Sequence, residues 1–193
     1  MFYYYELIMN RREAVQHISL LLGGTILGAN AFISCQSSEN KAVSFSYKDV
    51  ALLDEIADTI LPPTKTPGAK AAKVGLFMTV MVNDCYEERD RQVFHDGMKK
   101  IQALSEKEYD GKFTDIKPEQ RHALLVKLDN EQKEAMKTAK ADQPKHYFRL
   151  MKELTLLGYF TSEIGCTQAR RYIETPGKYE ACIPYKKGDK AWA

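Results

Sequence analysis

The chain has 193 residues, a formal net charge of +2, and 44% hydrophobic against 28% charged residues. Charges of both signs are interspersed without a dense basic patch, which argues against a nucleic-acid partner; Lys186, Lys187 and Lys190 near the C-terminus are offset by Glu180 and Asp189. Gly-x-Gly-x-x-Gly, Gly-x-x-x-x-Gly-Lys-Ser/Thr and Gly-x-Ser-x-Gly are all missing, so dinucleotide binding, P-loop phosphate binding and serine-hydrolase chemistry have no motif here.

In chain order, the first feature is Asn10-Arg11-Arg12-Glu13-Ala14-Val15, an arginine pair ahead of the apolar, glycine-containing run 18–27. Phe32-Ile33-Ser34-Cys35 follows, then polar Gln36-Ser37-Ser38-Glu39-Asn40. Basic region, apolar region, small residues and a cleavage point in that order read as a bacterial export signal over residues 1–35. Arg11 and Arg12 point to the twin-arginine route, which carries folded cargo, although Ala14 and Gln16 depart from its usual pattern. Cys35 resembles a lipobox cysteine, lipidated as the mature N-terminus, which places the protein on the periplasmic side of the envelope. The alternative is a membrane anchor, but the run from Ile18 to Phe32 falls short of the roughly 20 apolar residues a span needs and contains Gly23, Gly24 and Gly28. Met9, directly before the basic region, is a second candidate start.

About 158 residues follow the signal, enough for one domain with a core of its own. Residues 36–46 read as a flexible polar tether, and 47–193 as that domain. From Tyr47, Val50, Leu53, Ile56, Ala57 and Ile60 recur at helical spacing until Leu61-Pro62-Pro63 stops them. A second helix is expected from Ala69 to Tyr86; Val74, Phe77, Met78, Val80, Met81 and Val82 cover enough of its circumference to predict burial on more than one side. Glu87 to Glu108 carries a stripe of Val93, Phe94, Met98, Ile101 and Leu104. Pro118 opens a fourth helix with Leu124, Leu125, Leu128 and Met136 inward. Pro144 opens the last long one, with Tyr147, Phe148, Leu150, Met151, Leu154, Leu157, Phe160 and Ile164 apolar, ending near Gly165 and followed by a helical turn over Thr167 to Tyr172. Pro176, Gly177, Pro184 and Gly188 exclude long regular structure beyond. The expected architecture is all-α: a single bundle of about five helices with an irregular, aromatic-rich C-terminal segment.

Cys35, Cys85, Cys166 and Cys182 are the four cysteines. With Cys35 lipidated, an odd number stays in an oxidising compartment: one disulfide among Cys85, Cys166 and Cys182 with a thiol left over, a disulfide to another subunit, or three small buried residues. No Cys-x-x-Cys or Cys-x-x-Cys-His occurs, and His95, His122 and His146 are scattered, so no metal or haem site is expected in this chain. Asp54 and Asp58 share a helix face; they read as a solvated face, with acid–base work as the alternative. Glu163 lies within an apolar segment, either buried and paired or facing a partner. Tyr172, Tyr179, Tyr185 and Trp192 lie in a segment that cannot build a core alone, so they pack on the bundle or dock on another protein. Tyr159, Phe160, Glu163, Tyr179, Tyr185 and Trp192 are the candidates for partner contact.

Leu53-Asp54-Glu55-Ile56-Ala57-Asp58-Thr59-Ile60-Leu61-Pro62, followed by Thr66-Pro67-Gly68-Ala69-Lys70-Ala71-Ala72, resembles the gluconate 2-dehydrogenase subunit 3 family. So do Val82-Asn83-Asp84-Cys85-Tyr86, Gly158-Tyr159-Phe160-Thr161-Ser162-Glu163-Ile164-Gly165, Pro176-Gly177-Lys178-Tyr179 and Pro184-Tyr185-Lys186-Lys187-Gly188-Asp189-Lys190-Ala191-Trp192. The signal is similar to that of family members in the Bacteroidetes. The resemblance implies a non-catalytic small subunit of a periplasmic, membrane-associated sugar or sugar-acid dehydrogenase. It implies an FAD-containing large subunit of the glucose-methanol-choline type, no cofactor on this chain, and often a cytochrome c as acceptor. The small subunit then assists folding, export and anchoring of the flavoprotein. Two other readings remain: a stand-alone lipid-anchored protein binding glycan or other envelope components, and a small enzyme using the Asp54/Asp58 face.

Overall fold

The structure, a computed structural model, describes residues 45–139, 142–175 and 177–192. It is all-α: α1 (Tyr47–Ile60), α2 (Val74–Cys85), α3 (Glu88–Tyr109), α4 (Pro118–Thr138) and α5 (Tyr147–Thr161), then one π-helical turn (Gly165–Ala169). Among the described residues there is no strand, only an isolated bridge between Arg171 and Trp192, and no helix long and apolar enough to cross a membrane.

The expected tether yields its last two residues to the fold. Ser46 caps α1 in a reciprocal box, its Oγ accepting from Asp49 N–H at 3.3 Å while Asp49 Oδ2 accepts from Ser46 N–H at 2.8 Å. Phe45 packs on the core, its ring stacked 4.4 Å from that of His95.

Helix α1 buries Leu52, Leu53, Ile56 and Ala57 and packs against α2, α4 and α5. Helix α2 begins later than Ala69. Residues 69–73 form turns that end on Lys73 in the left-handed region (φ 54°), a backbone break that delays the helix to Val74. Nor is α2 buried on more than one side: Val74, Gly75, Met78, Thr79 and Val82 face inward, whereas Leu76 and Val80 are half exposed at 53% and 50%. In α4 the inner face runs through Leu124, Leu125, Leu128 and Gln132, with Met136 only partly covered. Phe113 and Ile116, from the connection between α3 and α4, complete the core. On α5, Leu157 is 46% exposed rather than inward.

The turn expected over Thr167–Tyr172 occurs earlier, at Gly165–Ala169. Ser162 stops α5 by accepting from Gly165 N–H through Oγ (3.0 Å) and from Cys166 N–H through its carbonyl (2.9 Å). A side chain at Gly165 would collide with the Tyr159 carbonyl, so the wide turn depends on glycine.

Gly75 brings the α2 backbone against α1: a Cβ there would stand 2.8 Å from both Asp54 N and Val50 O, backbone atoms that cannot step aside. Gly75→Ala is expected to cost about 2 kcal/mol in urea unfolding through overpacking, while Gly177→Ala, with nothing within 4 Å of its Cβ, stays within about 0.5 kcal/mol of the parent.

His146 starts α5 by accepting from Phe148 N–H through Nδ1 at 3.2 Å, with Nε2 3.7 Å from Glu131 of α4. Burial holds His146 below the ordinary 6.5, with Glu131 opposing and Lys100 of α3 reinforcing. Burial likewise lowers His95. The unfolded chain therefore binds more protons, so stability is complete above about pH 6.5 and declines as pH falls below it. His146→Asn, which keeps a capping acceptor but cannot titrate, is expected to flatten that decline in thermal melts across pH 5–7.

Candidate partner surface

The carboxylates of α1 act on the protein's own backbone. Asp54 Oδ1 accepts from Gly75 N–H at 2.8 Å, supplying a negative cap to the first turn of α2, which has no side-chain cap of its own. Asp58 Oδ1 accepts from Lys70 N–H at 3.2 Å. Glu55, half-buried, pairs with Lys70 and with Arg121 of α4. Burial pushes the Asp54 carboxyl above 3.8, against the pull of Gly75 N–H and Lys70. Asp54 and Asp58 stay partly solvated, as the spacing suggested, but they are not idle there: they fasten the start of α2 and the α1–α2 connection to α1.

They also line neither of two surface grooves. One, about 820 Å³, lies between α1 and α3 with Asp49, His95, Lys99, Lys112 and Asp115 on its walls. The other, about 620 Å³, lies between α3 and the start of α5, with Lys100, Lys107, Glu131 and His146. Among the described residues no group of three or more His, Cys, Asp or Glu side chains could hold a metal ion.

The candidates for partner contact divide. Tyr159 is buried, and its hydroxyl donates to the Pro67 carbonyl at 2.8 Å, fixing the α1–α2 connection to α5; it is an internal tie, not an interface residue. Phe160 is half-buried beneath the Arg170 guanidinium, 4.6 Å away. Glu163 is exposed. Tyr179 is 91% exposed, Tyr185 75% and Trp192 48%. Cys85 and Cys182 are exposed and Cys166 half-buried, and all three are free thiols, so no disulfide joins any pair of them. Arg11, Arg12 and Cys35 lie outside the described residues.

Further apolar side chains stay uncovered on α2 and α5. A Cβ on Gly158 would press on the Phe77 ring where the two helices touch, and Leu76 and Val80 on α2 and Leu156 and Leu157 on α5 are exposed. Helical periodicity names these residues as apolar, but not that they exceed what the bundle covers.

The family model described as gluconate 2-dehydrogenase subunit 3 matches residues 48–177. That range takes in all five helices but for Tyr47, the first residue of α1, and ends within the aromatic tail. No curated protein matches the chain, nor does any solved structure.

The two kinds of apolar residue separate on mutation. Tyr159→Phe is expected to lower stability by about 1 kcal/mol through the lost hydrogen bond. Leu76→Ser, at a half-exposed position, is expected to shift it by no more than about 0.5 kcal/mol. Urea titration of both variants checks the assignment.

Proposed function

Since the chain belongs to the gluconate 2-dehydrogenase subunit 3 family, we propose that it is the non-catalytic small subunit of a periplasmic, membrane-associated, FAD-dependent sugar or sugar-acid dehydrogenase. The family itself makes the chain a subunit of a dehydrogenase complex. The finer reading assigns FAD and the chemistry to a large flavoprotein subunit of the glucose-methanol-choline type, with a cytochrome c as electron acceptor. It gives this chain the work of stabilising, exporting and anchoring that subunit. Arg11 and Arg12 direct export of the folded pair, and lipid on Cys35 holds it to the membrane.

One observation supports the non-catalytic role above the others. The carboxylates best spaced for acid–base work, Asp54 and Asp58, are engaged in capping backbone N–H groups, while Leu76, Val80, Leu157, Tyr179 and Tyr185 lie uncovered. A catalyst needs a titratable group free to meet substrate; a subunit needs apolar surface free to meet its partner.

The test is purification of the tagged chain from detergent-solubilised membranes of its host, with a deletion strain beside it. The expected eluate carries flavin absorbance and dye-linked sugar dehydrogenase activity, and in the deletion strain that activity is lost from the periplasmic fraction. Cys35→Ala is expected to release the activity from the membrane without abolishing it. A colourless chain with no dehydrogenase, or normal flavoprotein export and activity in the deletion strain, would move the assignment to an envelope-binding protein or a small enzyme.

A further inference from the structure

The C-terminal segment is not a free tail; it is a loop with its two ends tied together. After the π turn the backbone is extended at Arg170, and the N–H of Arg171 donates to the Ala191 carbonyl at 2.8 Å, in a parallel bridge between Arg171 and Trp192. The Arg171 guanidinium lies 4.4 Å over the Trp192 ring, within cation–π range. Lys190 Nζ donates to the Gln168 carbonyl next to this clasp. Near the far end a tight turn is set by Asp189, whose N–H donates to the Lys186 carbonyl at 3.0 Å while its Oδ2 accepts from Lys186 N–H, also at 3.0 Å.

Between the tied ends the large apolar side chains stay out of the core. Tyr172, Ile173, Tyr179, Ile183 and Tyr185 are all exposed. A long segment without regular structure is expected to be disordered or functional, and closing its ends removes part of the entropy that docking would otherwise cost.

We propose that the described residues between the clasp partners, 172–175 and 177–191, are a docking loop for the large dehydrogenase subunit, held in a binding-ready shape by the Arg171–Trp192 clasp. The proposal rests on the subunit reading above. Tyr179 and Tyr185 stand largely out and Tyr172, Ile173 and Ile183 about half out; with about 150–250 Å² for a fully buried aromatic side chain, the five offer a large part of the roughly 800 Å² per partner of a standard protein interface. The composition suits a protein surface: tyrosine gives large contact area at low entropy cost. It does not suit a lipid surface, because Glu174, Glu180 and Asp189 alternate with Lys178, Lys186, Lys187 and Lys190 instead of forming a polybasic run.

Trp192 is the sole tryptophan of the chain, so its fluorescence reads the clasp directly. The experiment uses the full-length chain co-expressed with its dehydrogenase subunit, and compares Arg171→Gln, Trp192→Ala, Trp192→Phe and the double variant Tyr179→Ser/Tyr185→Ser. In Arg171→Gln, acrylamide quenching of Trp192 is expected to rise while the thermal midpoint of the bundle stays the same. Affinity for the dehydrogenase subunit is expected to fall about tenfold in Arg171→Gln and Trp192→Ala, to recover largely in Trp192→Phe, which keeps a ring under the guanidinium, and to fall at least tenfold in the double tyrosine variant. Unchanged affinity in the double tyrosine variant overturns the proposal while leaving the subunit reading intact. So does a change confined to self-association in light scattering, or to binding of anionic vesicles. If the wild-type chain binds no dehydrogenase subunit, the subunit reading fails and the proposal fails with it.

Discussion

Three carboxylates on adjacent turns of α1 hold the α1–α2 connection, and the rest of the bundle is arranged around that hold. Asp54 caps α2 through Gly75 N–H, Asp58 takes Lys70 N–H, and Glu55 reaches both Lys70 and Arg121 of α4. Tyr159 closes the same segment from α5 through the Pro67 carbonyl. One stretch of chain thus collects ties from α1 and α5, and Glu55 links the same region to α4. Of these groups the Gly75 N–H is a backbone donor at partial burial, where an unpaired amide costs more than the bond itself is worth.

That arrangement requires close approach, and glycine permits it. Gly68 and Gly75 stand where any Cβ would meet backbone atoms of the α1–α2 connection or of α1 itself. The same solution recurs farther out, with Gly97 of α3 lying under the Tyr147 ring and Gly158 of α5 under the Phe77 ring. An aromatic ring seated on a glycine gives each helix pair one register, since moving along either helix meets a full side chain. Packing of α3 and of α2 against α5 is therefore specified by shape as well as by apolar area.

Much of this architecture was legible in the chain. Val50, Leu53, Ile56, Ala57 and Ile60 announce α1, and Pro62, Pro118 and the Gly165 region mark boundaries, because spacing and backbone restriction are local properties. The roles of Asp54 and Asp58 were not legible, because their partners are 21 and 12 residues away in sequence and periodicity carries no information at that range. Lys73 in a left-handed conformation delays α2, and nothing in lysine foretells that. Tyr159 shows the same limit on the candidate site. An aromatic side chain reads alike whether it points in or out, and a single hydroxyl-to-carbonyl bond with Pro67 decides the matter. The exposure of Leu76, Val80 and Leu157 is the converse case: an apolar stripe wider than the neighbouring helices can cover looks, in sequence, like a more deeply buried helix.

The mismatch between what the bundle satisfies and what it leaves open argues for its role. Its acidic groups are largely engaged internally: Asp129, held down to about 2, sits among Lys133, Lys152 and Gln132, whose hydrogen bonds outweigh the cost of its burial, and Glu153 sits between Lys145 and Arg149. Its apolar surface is not so engaged, either on α2 and α5 or on the loop beyond Arg171. For a chain acting alone, that surface costs free energy in water and favours self-association. Covered by a partner it becomes the driving force of assembly. The polar groups of the bundle keep its own shape, and the apolar groups it leaves uncovered are what an assembling chain would have to spare for another subunit.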